Sequence, residues 1–221
     1  MSRRNKSPGG CGLSAVVWTA LVLCAPVFGA PLTVTVLKRD GTPLPGAVVS
    51  AEAESPLLPP AAPVKGIMDQ VDLTFVPDVL VIPVHSTVQF PNSDAISHQV
   101  YSFSNARSFQ LPLYRGKPYP PVSFDQPGVV TLGCNIHDNM LSYIIVTAAP
   151  FFGRTDRQGE WTAADVPQGR YRLRIWHPLL NEPRDVERVI ETGADRTPIQ
   201  FRLAKALKPA PLNGRPHSWD Y

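Results

Sequence analysis

Twenty-five prolines are scattered through 221 residues, and the apolar runs between them are short and rich in Val, Ile, Leu and aromatics. A proline inside a helix removes a hydrogen bond and clashes with the preceding turn. Long helices are therefore excluded and the chain reads as all-β. Its length allows one large or two small domains, and the middle of the chain differs in pattern from its two ends.

The first residues are of another kind. Arg3, Arg4 and Lys6 precede an apolar stretch from Leu13 to Val27, with Val27 and Gly29 as small residues before a cut near Ala30. That pattern predicts a signal peptide over residues 1–29 and a periplasmic protein. The stretch is short and interrupted for a membrane span, and Leu23 stands where a lipid anchor on Cys24 would need a small residue. No stable membrane insertion is expected. Beyond the leader, Cys134 is the only thiol, so a disulfide scaffold is excluded. An unpaired thiol in an oxidising compartment is a liability unless a metal holds it as thiolate.

Removing the three leader cations from the 21 basic residues leaves 18 against 18 acidic ones. The basic residues after Arg170 are interleaved with Glu182, Asp185, Glu187 and Glu191. This mixed surface carries neither a nucleic-acid footprint nor a polybasic membrane patch.

Cys134, His137 and Met140 stand three residues apart in GCNIHDNM, and His98 lies 36 residues upstream in a segment that reads as a strand. Two imidazoles, one thiolate and a weak thioether suit copper in both oxidation states, so an electron can come and go with little rearrangement. Gly133, Asn135, Asp138 and Asn139 are poor helix formers, which places the three donors on a loop. That loop joins VVTLGC to LSYIIVT, and His98 must come from a neighbouring strand. Zinc rarely takes Met, haem attachment would need CxxCH, and a dinuclear copper centre would need a second Cys in the loop. His85, His177 and His217 read as structural or solvent-facing. Trp161, Tyr171 and Trp176 read as core. No nucleophile, base and orienting acid stand together, and no phosphate-cradling glycine loop is present, so enzymatic catalysis is not expected.

The segment VQFPNSDAISHQV with the CxxHxxM loop resembles the small cupredoxins of the plastocyanin, amicyanin and pseudoazurin group, over about 85 residues. The resemblance implies a Greek-key β-sandwich over 65–148. It also implies one type 1 copper, with His98, Cys134 and His137 as strong ligands and Met140 as the weak axial one, and it puts Gln99 in the position beside the first histidine. It further implies electron exit through the His137 ring edge. Here Asp138 and Asn139 follow His137, where electron-transfer relatives place Pro or apolar residues, which predicts a more polar docking face. The exported chain as a whole, including FPNSD, LPLY, GCNIHD and RIWHP, resembles bacterial proteins called methylamine utilization protein or plastocyanin-like.

The ends carry a second resemblance. LTVTVLKRDGTPLPGAVVSAEA and TDRQGEWTAADVPQGRYRLRIWHP resemble a transthyretin-like, carboxypeptidase-regulatory type of β-sandwich whose pattern is interrupted. The expected organisation has this sandwich in two parts, 30–64 with its Pro-rich linker SPLLPPAAPVKG and 149–204. The cupredoxin-like unit is inserted between them, and residues 205–221 form a flexible tail. An N-terminal arm followed by two sequential domains is the rival arrangement. Three functions follow: a one-electron carrier serving a c-type cytochrome or periplasmic dehydrogenase, a copper delivery or storage protein, and a non-redox scaffold or adhesion module. The four-donor set favours the carrier.

Overall fold

The computed structural model describes residues 29–54, 58–180, 186–193 and 198–209. Residues 1–28 of the expected signal peptide over 1–29, and 210–221 of the expected tail over 205–221, lie outside the described residues. Among the described residues every regular element is a strand, so the chain is all-β. No helix among the described residues is long and apolar enough to cross a membrane.

One group of strands comes from both ends of the chain: β1 (Ala30–Leu37), β2 (Val48–Ala53), and then β13 (Phe151–Arg154), β14 (Glu160–Val166), β15 (Gly169–Trp176), β16 (Val186–Thr192) and β17 (Ile199–Arg202). They form two sheets in the orders β14-β1-β17 and β13-β2-β15-β16. β1 runs antiparallel to β14 and parallel to β17, while β2 lies antiparallel between β13 and β15. Alternation sets what each strand buries. Leu32, Val34 and Val36 of β1 meet Val49 and Ala51 of β2, with Trp161, Tyr171, Leu173, Ile175 and Phe201, in one core. On the opposite face Glu52 of β2 pairs with Arg174 of β15, and Glu54 just beyond β2 pairs with Arg172, in a ladder of partly exposed ion pairs. Such pairs add little individually.

The turn in TDRQGE, which its sequence predicts as a hairpin turn, closes with the Asp156 N–H donating to the Glu160 carbonyl and the Gly159 N–H to the Asp156 carbonyl, but the strands it joins diverge. It joins β13 to β14, and these belong to different sheets. Gly159 lies at φ 71°, and a Cβ there would stand 2.5 Å from the Val36 carbonyl oxygen. Only glycine lets this corner close against β1. Asp156 Oδ1 accepts the N–H groups of Gln158 and Glu160 and holds the corner.

The remaining strands all come from the middle: β3 (Lys65–Ile67), β4 (Asp69–Val71), β5 (Thr74–Val76), β6 (Val79–Pro83), β7 (Ser86–Gln89), β8 (His98–Ser104), β9 (Arg107–Tyr114), β10 (Val122–Phe124), β11 (Gly128–Gly133) and β12 (Leu141–Thr147). A five-stranded sheet, β6-β12-β11-β8-β9, faces the three-stranded β10-β7-β3, and β4-β5 is a separate hairpin. Phe90, Phe124, Ile82, Leu132 and Ile144 fill the space between them, and every fully buried residue of this core lies between Met68 and Val146.

β12 explains its own sequence. Ser142, Ile144 and Val146 face this inner core, whereas Tyr143 and Ile145 face outward to Val48, Val79 and Trp176. Burial on both faces turns the usual alternation into a near-continuous apolar run. The Tyr143 ring meets Trp176 edge-on, with centroids 5.1 Å apart. Beside this contact Arg154 on β13 pairs with Asp78 and donates to the Val79 carbonyl at the start of β6. The two strand groups are thus joined through an apolar contact with a charged pair at its side.

Candidate metal centre

Cys134 is the first residue beyond β11, and Gly133 is paired with Leu141 at the start of β12. The seven residues 134–140 therefore form a loop between the neighbouring ends of two strands. Gly133 also pairs with Tyr101 of β8. A Cβ on Gly133 would stand 2.8 Å from the Tyr101 ring, so glycine is what lets this side chain cover the strand end. His98 opens β8 three residues before Tyr101, which brings it beside the loop in an antiparallel arrangement. The fold thus supplies the neighbouring strand that His98 requires.

The loop curls so that its ends point inward. Cys134 and Met140 are buried, His137 is half-buried, and Asn135, Ile136, Asp138 and Asn139 are exposed. The Met140 N–H donates to the His137 carbonyl at 3.0 Å, closing the last turn. His98 is fully buried. Its Nδ1 lies 3.1 Å from Nδ1 of His137 and 4.0 Å from Cys134 Sγ, and the His137 Nδ1 to Sγ distance is 3.6 Å. These three donor atoms lie close enough together to hold one metal ion. Met140 ends the same loop and packs in the same core cluster as Cys134.

A triangle with those sides has a circumradius, the product of its sides over four times its area, of about 2.1 Å. One point therefore lies within ordinary metal–nitrogen distance of both imidazoles and close to metal–thiolate distance of the sulfur. Two nitrogens, a thiolate and no carboxylate at that point form a soft donor set. The residues present fit copper held by two histidines and a cysteine, with the buried Met140 thioether near by.

Asp94 was not among the residues that sequence reasoning picked out. His98 Nε2 donates to its Oδ2 at 2.7 Å. The same carboxylate accepts the N–H groups of Asp72 and Leu73. Those two residues form the tip of the β4-β5 hairpin, at φ 51° and 63°, a primed turn whose two N–H groups both point to this carboxylate. Burial acts to raise the Asp94 carboxyl, but hydrogen bonds from Leu73, His98 and Asp72 outweigh it and hold the group below its ordinary range. As an acceptor-only carboxylate it fixes the proton of His98 on Nε2 and leaves the Nδ1 lone pair for the centre. The only sequence signal was the spacing of Asp94 four residues before His98. Gln99, named beside the histidine from the sequence, alternates to the other face of β8.

Tyr114, opposite His98 on β9, forms a second buried network. Its hydroxyl donates to the Phe90 carbonyl and accepts from Gln70 Nε2, which also donates to the Pro91 carbonyl. Burial pushes the phenol up to about 12. A raised folded value favours the neutral phenol, so this contribution to stability is complete below pH 10 and is lost as pH rises from 10 to 12. The loss amounts to about 2–3 kcal/mol. Tyr114→Phe is expected to be less stable at neutral pH and to show a shallower decline over that window, as read from urea midpoints between pH 9 and 12.

Ile136, Ile96, Leu113 and Leu141 are exposed, each a near neighbour in sequence or register of a candidate ligand. Asp138 and Asn139 are exposed among them. His85 sits on a turn with its imidazole 3.2 Å from Asp125, and His177 is buried, with Nδ1 accepting the Leu179 N–H. His217 lies outside the described residues.

No family model matches this chain, and no curated protein matches it. Among solved structures it is similar to a Cu-containing nitrite reductase from Thermus scotoductus SA-01, with 26% identity over 43% of this chain and a TM-score of 0.36. That match spans 25% of the nitrite reductase chain. It is also similar to a purple cupredoxin from Nitrosopumilus maritimus, with 22% identity over 37% of this chain and 99% of that one, and a TM-score of 0.33. A reduced amicyanin variant aligns at 20% identity over 44% of this chain and 99% of its own, with a TM-score of 0.35.

Proposed function

We propose that this protein is a periplasmic one-electron carrier with a single type 1 copper site held by His98, Cys134 and His137, with Met140 as weak axial ligand. The observation that supports it is the meeting of two imidazole Nδ1 atoms and one thiol sulfur around a point about 2.1 Å from each. Copper held there would alternate between its two common oxidation states and so store or release one electron.

The surrounding residues serve that chemistry by holding still and by excluding water. Cys134, His98 and Met140 are buried, which keeps solvent from the donors. His98 is held on β8, Cys134 directly follows the neighbouring β11, and His137 lies on the short loop from there to β12. Donors fixed in this way change little between states, which keeps the reorganisation that accompanies electron transfer small. His137 is the least buried of the four, and the exposed Ile136 next to it in the loop, with the exposed Leu141 just after Met140, would offer an apolar contact to a partner. Weak redox encounters need only a small interface. A c-type cytochrome or a periplasmic dehydrogenase is the kind of partner proposed. Asp138 and Asn139 give this face a polar side that would help select it. The chain is proposed to transfer electrons and to catalyse no reaction of its own.

The test is to load the mature chain with Cu(II), mix it with a reduced soluble c-type cytochrome in a stopped-flow instrument, and then add a Cu(I) chelator. Loss of the visible copper band in step with cytochrome oxidation, reversed by an oxidant with the copper retained, is the expected result. Copper passing to the chelator on reduction would instead mark a delivery protein.

A further inference from the structure

We infer that Asp94 is a positioning residue for the metal centre, setting which nitrogen His98 offers and biasing the site toward the more highly charged metal state. The inference rests on the copper reading above and deepens it. Three observations carry it. The Asp94 carboxylate is bound directly to Nε2 of a fully buried histidine at 2.7 Å. It is itself held by two backbone N–H groups from a turn that is 21 and 22 residues distant along the chain. The third is the placement of His98 Nδ1 toward Cys134 and His137.

The physical consequences follow from that geometry. A buried imidazole free at both nitrogens can present either tautomer or turn over about its bond to the backbone. With Nε2–H committed to a carboxylate, one tautomer and one ring orientation remain. The negative charge beyond the ring also makes the imidazole a stronger donor. A fixed anion this close to the centre stabilises the doubly charged metal more than the singly charged one. The β4-β5 hairpin enters the same arrangement. Asp72 and Leu73 both hold left-handed backbone conformations, and both donate their N–H groups to the carboxylate. The hairpin thus anchors the residue that anchors the ligand.

The experiment separates the ligand role from the turn. Leu73→Gly relieves the need for a supported left-handed leucine, and Asp94→Asn is then made in that background and in the wild type. Cu(II) and Cu(I) affinities are measured by competition, the reduction potential by spectroelectrochemistry, and the His98 tautomer by nitrogen-15 NMR of the metal-free chain. The expected result is a fall of roughly 10–100-fold in Cu(II) affinity for Asp94→Asn in both backgrounds, with a smaller fall for Cu(I). Each tenfold difference between the two raises the potential by about 59 mV. His98 in the metal-free variant is expected to lose its fixed Nε2–H form, and Asp94→Glu to restore it in part. An unchanged potential together with an unchanged tautomer overturns the inference. If the wild-type chain takes no copper, the carrier reading falls, and the metal-free tautomer alone decides: Nε2–H retained in Asp94→Asn overturns the positioning role.

Discussion

Cys134→Ser is expected to abolish the intense thiolate-to-copper absorption of the loaded protein and to cut copper binding by more than the roughly 10–100-fold that follows loss of a hydrogen-bond partner to a ligand. The reason is chemical. A serine hydroxyl stays protonated and is a hard donor, whereas the thiolate is the charged, soft member of the set. Cys134 is also the free cysteine of the described residues, so no other sulfur of that kind stands ready to replace it. The fold should survive. Serine is slightly smaller, and its hydroxyl would have the imidazole nitrogens of His137 and His98 near it. The check is a visible spectrum of both forms with equimolar Cu(II), beside a thermal melt without metal. A band that persists in the variant would mean that the copper sits elsewhere.

The second large effect concerns the outer strands. A chain lacking residues 30–53 is expected to lose the packed structure of 151–203 while the inner strands keep theirs. β1 is the central strand of one outer sheet and β2 an interior strand of the other. The deletion removes Leu32, Val34, Val36 and Val49, all buried in the outer core. At about 1.5–3 kcal/mol for each buried side chain, the loss matches the whole stability of a small domain. The inner core draws its buried residues from Met68 to Val146 only, and loses only outer contacts: the cover that Val48 and Trp176 give to Val79, Tyr143 and Ile145, and the Arg154–Asp78 pair. The expected signature is a copper band retained at full intensity with the near-ultraviolet signal of Trp161 and Tyr171 lost. Disappearance of the copper band as well would show that the two strand groups fold as one unit.

Much of this architecture could be read from local pattern, and what could not has identifiable causes. The all-β class followed from proline spacing, and β6, β8, β11 and β12 from short Val- and Ile-rich runs. β9 went unread because RSFQLPLY exposes Phe109's neighbours and contains Pro112, which breaks the alternation that marks a strand. Asp156–Gly159 read as a hairpin because its turn chemistry is that of one. Nothing local says that β13 and β14 pair with β2 and β1 instead of with each other. At the centre, the spacing of Cys134, His137 and Met140 put them on one loop. The approach of His98 depends on β8 lying beside β11, a long-range pairing. Asp94 was hidden for the same reason. In sequence it is one more turn-forming residue of FPNSD, and only the fold brings the hairpin tip and the buried imidazole to its two sides.

The way the inner strands begin and end bears on how the chain reaches this structure. Val64 donates its N–H to Ser86 Oγ and accepts from Thr87, while Thr147 accepts from Val84. The incoming and outgoing segments are therefore moored side by side on the short connection between β6 and β7. The pairing of β2 with β13 spans 97 residues of intervening chain. Once the middle has folded, the loose chain left to close is only the 14 residues between Ala53 and Lys65 and between Thr147 and Phe151. Because closure entropy grows with the logarithm of loop length, that shortening is worth about 2 kcal/mol. The middle strands act as a clasp, and the two halves of the outer sandwich, made far apart in time, are delivered to each other by it.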